Sequence, residues 1–364
     1  MSAQDLYDLS PLVRLLLVGV LLAGVPLAWV GWRHRQGTPL RQVQALTLIT
    51  LFLTFDLVLF GAFTRLTDSG LGCPDWPGCY GHASPLGASV NIQAAQTAMP
   101  TGPVTHGKAW VEMIHRYLAS SVGFLILVLT VLAWKSRLSR KGQPGRSPVS
   151  PWWPTLTLVW VCIQGAFGAL TVTMKLFPAI VTLHLAGGVI LLVLLCVQAV
   201  RYAQFETKLP VASLSVGMRR LLWVSATLLA LQILLGGWVS TNYAVLACSD
   251  FPRCQGSWWP DMNWAQGFEL WRELGMTQGA EVIGFSALTA IHYAHRLAAY
   301  GVLTVLGLLA WQLNKTPALR LQSRWLAGLT GLQLATGLSN VVLDWPLVAA
   351  VLHTGGAAAL AITL

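Results

Sequence analysis

Four histidines in two matched pairs are the residues of this sequence that could carry redox or ligand chemistry. His115 and His295 are each followed directly by an arginine, and each has a partner later in the chain, His184 and His353. All four lie in apolar segments, where an ionisable side chain is costly and usually functional. They lie level, at about 7–12 Å from the outer ends of their helices. Two level imidazoles in one helix bundle supply the two axial nitrogens of a heme iron. The sequence therefore predicts a heme between each pair.

The four histidines fit heme ligation better than a structural hydrogen bond or a zinc site. A hydrogen bond between helices would account for a single transmembrane histidine, but four matched in depth and repeated twice favour ligation. Zinc is disfavoured because no third or fourth His, Cys or carboxylate ligand lies at that level in both halves. Arg116 and Arg296 directly follow the first histidine of each pair. We expect them to pair with the anionic heme propionates.

One position distinguishes the two halves. Glu112 precedes His115 by one helical turn, whereas the residue three positions before His295 is His292. A glutamate at bilayer depth costs about 2.5–3.5 kcal/mol even on the lenient insertion scale. This cost indicates a task as a proton acceptor or as a stabiliser of positive charge on a substrate. A structural hydrogen bond at the helix mouth is the alternative.

Two close cysteine pairs lie in the long loops on the outer side. We call Cys73, Cys79, Cys248 and Cys254 the loop cysteines. Since that compartment is oxidising, the spacing predicts a local disulfide Cys73–Cys79 and another, Cys248–Cys254. Each pair is either a structural staple for a loop that caps a heme or a redox-responsive pair involved in heme handling or electron entry.

The elements that hold these residues are membrane helices. Only 10% of the 364 residues are charged and 55% are hydrophobic, with a mean hydropathy of +0.62, whereas a soluble chain carries about a quarter charged residues. The apolar residues form runs of roughly 20, enough for a helix to cross a bilayer core of about 30 Å. An all-α polytopic membrane protein follows. Its nine predicted spans lie near 11–31, 44–65, 110–134, 154–174, 179–202, 218–240, 287–313, 324–343 and 347–364.

The chain also contains an internal repeat. Gly61–Cys79 and Gly236–Cys254 both end in Cys-x5-Cys with Asp-aromatic-Pro between the cysteines. The repeat predicts two tandem, pseudo-symmetric four-helix bundles, 44–205 and 206–364, after an extra helix and cytoplasmic loop in 1–43. Four residues, one of them the later histidine of each pair, also recur at one constant spacing: Gln164, Gly168, Val172 and His184 correspond to Gln333, Gly337, Val341 and His353.

Basic residues set the expected orientation. Most of the 23 Lys and Arg residues lie in alternate short connections. The positive-inside rule then puts the N-terminus outside and the C-terminus in the cytoplasm. The same distribution explains the basic pI of about 9.7 without any role in nucleic-acid binding.

Several of these motifs resemble those of the heme A synthase family. TRLTDSGLGCPDW occupies Thr64–Trp76, EMIHR occupies 112–116, and the partner histidines stand at 184, 295 and 353. The resemblance covers about residues 44–364, so the first span lies outside the shared eight-helix core. Many members lack the loop cysteines, which marks these as a subgroup feature.

The resemblance implies that the substrate is itself a heme. Such enzymes convert heme O to heme A by oxidising the methyl at ring position C8, through a hydroxymethyl, to a formyl group. By analogy, His115 and His184 bind heme O while Glu112 assists the oxidation. His295 and His353 would hold a permanent heme b that relays electrons.

The resemblance also implies the setting. The expected partners are heme O synthase, an electron donor, cytochrome oxidase assembly components and further copies of the chain, in the bacterial inner membrane. The rival interpretation is a diheme membrane cytochrome b that carries electrons between a quinol and an outer partner. It explains the histidines equally well but gives no reason for Glu112. A transporter is disfavoured because matching Gly/Pro breaks in mid-membrane are lacking.

Overall fold

The computed structural model describes residues 10–138, 149–207 and 212–364. Within these ranges the chain is helical, and its β-type pairing is confined to isolated bridges. Short 3-10 turns occupy Ala244–Leu246 and Pro317–Leu319. The α-helices are α1 (Ser10–Arg33), α2 (Pro39–Leu66), α3 (Ser89–Ala98), α4 (His106–Leu138), α5 (Trp152–Thr173), α6 (Pro178–Thr207), α7 (Val216–Thr241), α8 (Trp264–Gly267), α9 (Phe285–Asn314), α10 (Arg320–Val342) and α11 (Leu347–Thr363).

Every predicted span coincides with a helix. Among the described residues, seven helices are long and apolar enough to cross a bilayer: α1, α2, α4, α5, α6, α7 and α9. Helix α11 is apolar but has 17 residues. Helix α10 has 23 residues but carries polar side chains, including Gln333 and Thr336, that lower its hydropathy. The chain is therefore a multi-pass membrane protein, and nine spans with an external N-terminus stay a prediction. Of the basic residues used for the orientation, Arg140, Lys141, Arg146 and Lys208 lie outside the described residues.

The equivalent helices α2 and α7 begin with the same capping interaction. The hydroxyl of Thr38 accepts a hydrogen bond from the amide of Arg41 at 3.3 Å, and Pro39 occupies the first helical position. The hydroxyl of Ser215 likewise accepts from the amide of Met218 at 3.2 Å. Each cap satisfies an amide that would otherwise lack a partner at the helix start. These caps fix where the two helices begin.

Unusual backbone conformations also recur. Lys175 and Leu176, between α5 and α6, have φ values of 49° and 60°. Asp344 and Trp345, between α10 and α11, have 52° and 61°. Consecutive non-glycine residues with positive φ are uncommon because Cβ crowds the carbonyl oxygen. Since the two pairs stand at corresponding positions, the sequence repeat is also a repeat of local structure.

The chain divides into two compact units. The first comprises Met1–Lys175 with Ile190–Leu209, and the second comprises Leu176–Val189 with Pro210–Leu364. The early part of α6, which carries His184, thus belongs with the second unit, whereas the sequence repeat assigns all of α6 to the first bundle.

Within the first unit, α1 packs along α4, the helix that carries His115. Ala23 and Val30 of α1 lie in one buried cluster with Val122 and Leu125 of α4. A Cβ atom added to Gly19 would lie 2.5 Å from Cβ of Ser120, so only glycine permits this approach. The extra first helix is therefore part of the core of this unit.

Candidate functional site

His295 on α9 and His353 on α11 come together in the second unit. Their ring centroids are 6.5 Å apart and their planes are inclined by 82°. A metal–imidazole bond is about 2 Å and a ring nitrogen lies about 1 Å from the ring centre, so two imidazoles on one ion have centroids about 6 Å apart. Both residues are half-buried. The pair fits two axial ligands of one heme iron.

Polar side chains of neighbouring helices surround this pair. The hydroxyl of Thr336 lies 2.9 Å from Nδ1 of His353, and the amide of Gln333 donates to the His353 carbonyl oxygen at 2.9 Å. The amide nitrogen of Gln232 lies 3.1 Å and 3.4 Å from the two ring nitrogens of His295 and donates to the His295 carbonyl oxygen at 3.1 Å. Such outer partners orient metal ligands. Gln333 stands out in the sequence because it recurs in the repeat, whereas no motif pointed to Thr336 or Gln232.

Glycines lie against the imidazoles. A Cβ atom on Gly236 would lie 3.0 Å from Cε1 of His295, and one on Gly337 would lie 3.3 Å from Cε1 of His353. Both distances are shorter than the usual carbon–carbon contact of about 3.5–4.0 Å. These helices therefore approach the two imidazole rings as closely as a residue without a side chain allows. Recurrence of glycine in the repeat was the available sequence signal for this role.

The first unit has the same arrangement around His115. A Cβ atom on Gly61, the counterpart of Gly236, would lie 3.2 Å from Cε1 of His115. The ring of Phe60 stacks on His115 with centroids 6.2 Å apart and planes inclined by 23°. His184, the expected partner of His115, is half-buried in the second unit, and its Nδ1 is buried without a hydrogen-bond partner among the described residues. The pairing of these two histidines stays a prediction.

Glu112 and Arg116 form a buried ion pair one turn apart on α4. An oxygen of Glu112 accepts a hydrogen bond from Nη2 of Arg116 at 2.5 Å, and its other oxygen accepts one from the Cys73 amide at 2.8 Å. The glutamate is 4% exposed and the arginine 8%. Nη1 of Arg116 donates to the carbonyl oxygens of Asp75 and Gly78. The pair thus fastens the first cysteine loop to the helix that carries His115.

The second unit repeats this attachment with a histidine in place of the carboxylate. Nε of Arg296 donates to Nε2 of His292 at 3.2 Å, and the other ring nitrogen of His292 lies 3.0 Å from the Ala244 carbonyl oxygen. The guanidinium also donates to the carbonyl oxygens of Cys248 and Asp250 at 2.8 Å. Both arginines expected at propionates therefore hold loop backbone here, and their propionate role stays a prediction.

Both loops contain the predicted disulfides, Cys73–Cys79 and Cys248–Cys254. Between the cysteines an aspartate accepts two backbone amides. Asp75 binds the amides of Tyr80 and Gly81 at 2.6 and 2.8 Å. In the second cysteine loop, Asp250 likewise accepts hydrogen bonds from the amides of Gln255 and Gly256. Partial desolvation opposes ionisation of the Asp250 carboxyl, but these two amides outweigh this effect and hold its pKa below the usual value. Each loop is thus a compact, pre-formed element.

Asp56 is an intramembrane carboxylate outside the set of residues predicted to be functional. It lies within the apolar run of α2 and its side chain is exposed. It stands four residues before Phe60, which places both on one face of the helix. The signal was available, because an ionisable residue inside a membrane span is costly.

Comparison with known proteins decides the family. The family model COX15-CtaA, described as cytochrome oxidase assembly protein, matches residues 44–364. The chain belongs to this family. The match begins within α2, so α1 lies outside it, as the resemblance predicted.

Curated relatives of this family member share the name heme A synthase. One from Shewanella oneidensis is 40% identical over 324 residues, which is 89% of this chain and 94% of that protein. One from Methylobacterium nodulans is 28% identical over 320 residues, covering 83% and 84%. One from Alkalihalophilus pseudofirmus is 25% identical over 277 residues, covering 75% and 84%. The resemblance inferred from the motifs is confirmed.

Proposed function

We propose that this protein is a heme A synthase, which oxidises the C8 methyl of heme O to the formyl group of heme A for cytochrome oxidase assembly. The observation that carries the proposal is the pairing of His295 with His353, together with a buried carboxylate, Glu112, that among the described residues occurs only in the first copy of the repeat. Membership of the family and 40% identity to a heme A synthase support the reaction.

One copy of the repeat binds the substrate and the other binds the cofactor. His115 and His184 bind the substrate, heme O. His295 and His353 hold heme b, which supplies a one-electron redox centre when bound. Gly236 and Gly337 keep space beside the two heme b ligands, as their close approach to the rings indicates. The protein works in the bacterial inner membrane together with heme O synthase, an electron-transfer partner and oxidase assembly components, and as a homo-oligomer.

Glu112 is the residue that acts on the substrate side. Oxidation of a methyl to a formyl group removes four electrons and releases protons, so a proton acceptor close to the substrate is needed. A carboxylate has about four acceptor positions, and Cys73 and Arg116 use two of those on Glu112. The backbone amide of Gly72 is a further partner of this carboxylate, which leaves about one acceptor position to receive a proton. The ion pair with Arg116 keeps the carboxylate in place one turn from His115.

The experiment compares Glu112→Gln with its counterpart in the other repeat, His292→Gln. Glutamine keeps the shape of glutamate and a carbonyl oxygen for the Cys73 amide, but it cannot become an anionic base. We expect Glu112→Gln to lower formation of heme A by about 10²–10⁴-fold, the range for loss of a general base. The heme b spectrum should stay normal. His292→Gln, which alters the loop attachment alone, should retain most activity.

The assay uses cells that carry each variant as the only copy, with chromatography and mass analysis of extracted hemes. Normal heme A in the Glu112→Gln strain would reduce Glu112 to a structural residue. Equal losses in both variants would assign it to loop attachment. Purified wild-type protein that contains heme b, but never heme O, a hydroxylated heme or heme A, would instead support the diheme cytochrome.

A further inference from the structure

The hydroxyl of Thr336 makes two short contacts that together fix the direction of a hydrogen bond. Its oxygen lies 2.8 Å from the Leu332 carbonyl oxygen and 2.9 Å from Nδ1 of His353. The side chain is 6% exposed, so water does not compete freely for these contacts.

A hydroxyl carries a single proton, which it can donate once. The Leu332 carbonyl can only accept, so a contact of 2.8 Å between the two oxygens requires that proton. The Thr336 oxygen must then accept from His353, which places the imidazole proton on Nδ1. The Nε2 of the same ring is left with a lone pair, the form that binds a metal ion.

Other contacts support a positioning role for this side chain. The Gln333 amide holds the His353 carbonyl from the same face of α10, so the ligand is fixed at both backbone and ring. The Gln232 amide nitrogen lies 3.1 Å from Nδ1 and 3.4 Å from Nε2 of His295, but an amide N–H group only donates, so it cannot accept a ring proton as the Thr336 hydroxyl does. By the constant spacing of the repeat, the residue that corresponds to Thr336 is Phe167, which has no acceptor. Nδ1 of His184, the counterpart of His353, has no hydrogen-bond partner among the described residues.

We propose that Thr336 is a positioning residue that holds His353 as the Nδ1–H tautomer and so presents Nε2 to the iron of heme b. This rests on the proposed function only in taking His353 as a heme b ligand. An acceptor on Nδ1 makes the imidazole a stronger electron donor, which stabilises ferric over ferrous iron. His353 thus has a fixed tautomer, whereas its counterpart His184 does not. This difference suits a heme b that is retained at His353 and a substrate heme that must leave His184.

The test uses purified protein with its bound heme and three variants. Thr336→Val keeps the shape but removes the acceptor, and Thr336→Ser restores a hydroxyl. Thr330→Val is the matched control, because Thr330 on the same helix donates to the Leu326 carbonyl at 2.7 Å, whereas the α10 side chains that contact His353 are Gln333 and Thr336. The readouts are the heme b reduction potential, the electron paramagnetic resonance spectrum of the ferric protein, and the rate of heme transfer to an apoprotein acceptor.

Thr336→Val should raise the reduction potential, change the ferric low-spin signal and weaken heme retention by about 10–100-fold, the usual cost of losing an outer-shell partner. Thr336→Ser and Thr330→Val should match the wild type. Unchanged potential, signal and retention in Thr336→Val would overturn the proposal, provided that His353→Ala loses the heme b spectrum. If His353→Ala keeps that spectrum, the heme b assignment itself fails.

Discussion

Replacement of Gly236 by alanine tests the close packing between α7 and His295, the proposed heme b ligand. The added Cβ atom would lie 3.0 Å from Cε1 of the imidazole, about 0.5–1 Å inside a normal carbon–carbon contact. Overpacking of this kind costs about 1–3 kcal/mol. Alanine in a helix interior gains roughly 1 kcal/mol over glycine, so the helix itself should not suffer. The added methyl group should therefore displace the imidazole of His295. A cost of about 1–3 kcal/mol corresponds to a roughly 5- to 150-fold loss of heme b affinity.

The measurement is the heme b content per polypeptide of detergent-purified protein, together with its reduced spectrum. Gly307→Ala on α9 is the matched control, because an added Cβ there meets nothing within 4 Å; it should keep its full heme content. Gly61→Ala should spare heme b and lower heme A formation, since its Cβ would lie 3.2 Å from Cε1 of His115. Full heme b and an unchanged spectrum in Gly236→Ala would refute the view that this glycine positions the ligand.

Three further outcomes are expected. His295→Ala or His353→Ala should abolish the low-spin heme b spectrum, because loss of one axial nitrogen opens the iron; an unchanged reduced spectrum in both would remove the assignment of these ligands. The loop cysteines should resist alkylation in untreated membranes and react after reduction, because they are paired; free alkylation without reductant would contradict the disulfides. Gly19→Ala should lower the Tm and expose α1 to proteolysis, because its Cβ atom would lie 2.5 Å from Cβ of Ser120, whereas the Cβ atom of Gly24→Ala meets nothing within 4 Å and this variant should behave as wild type. Equal behaviour of the last two variants would show that α1 does not depend on this contact.

The helices and the candidate ligand histidines could be predicted because their signals are local. A run of about 20 apolar residues determines a membrane helix almost by itself, since lipid offers the backbone no partners. The loop disulfides followed from short spacing, which brings two thiols together in most conformations. His295 and His353 could be matched with each other because the repeat placed them at one depth.

The attachments of the loops could not be predicted, because they depend on backbone acceptors. The guanidinium groups of Arg116 and Arg296, whose expected role at propionates stays a prediction, donate to loop carbonyls. Carbonyl oxygens occur at every residue, so no residue type reveals where such a bond will form. Glu112 also accepts from the Cys73 amide, a contact across a long loop that sequence spacing does not encode. Helix α3 was missed because its ten residues lack a long apolar run.

Helix α1 lies outside the residues that match the family, yet it packs directly against α4. Its contact surface with α4, centred on Gly19 and extended by Ala23 and Val30, is complete without the peptide connection at 34–38. That short connection raises the effective concentration of α1 near α4, because it makes the association of the two helices intramolecular. A separately synthesised helix with the sequence of Ser10–Arg33 would therefore bind the same surface of α4, but it would need a higher concentration than the linked helix does.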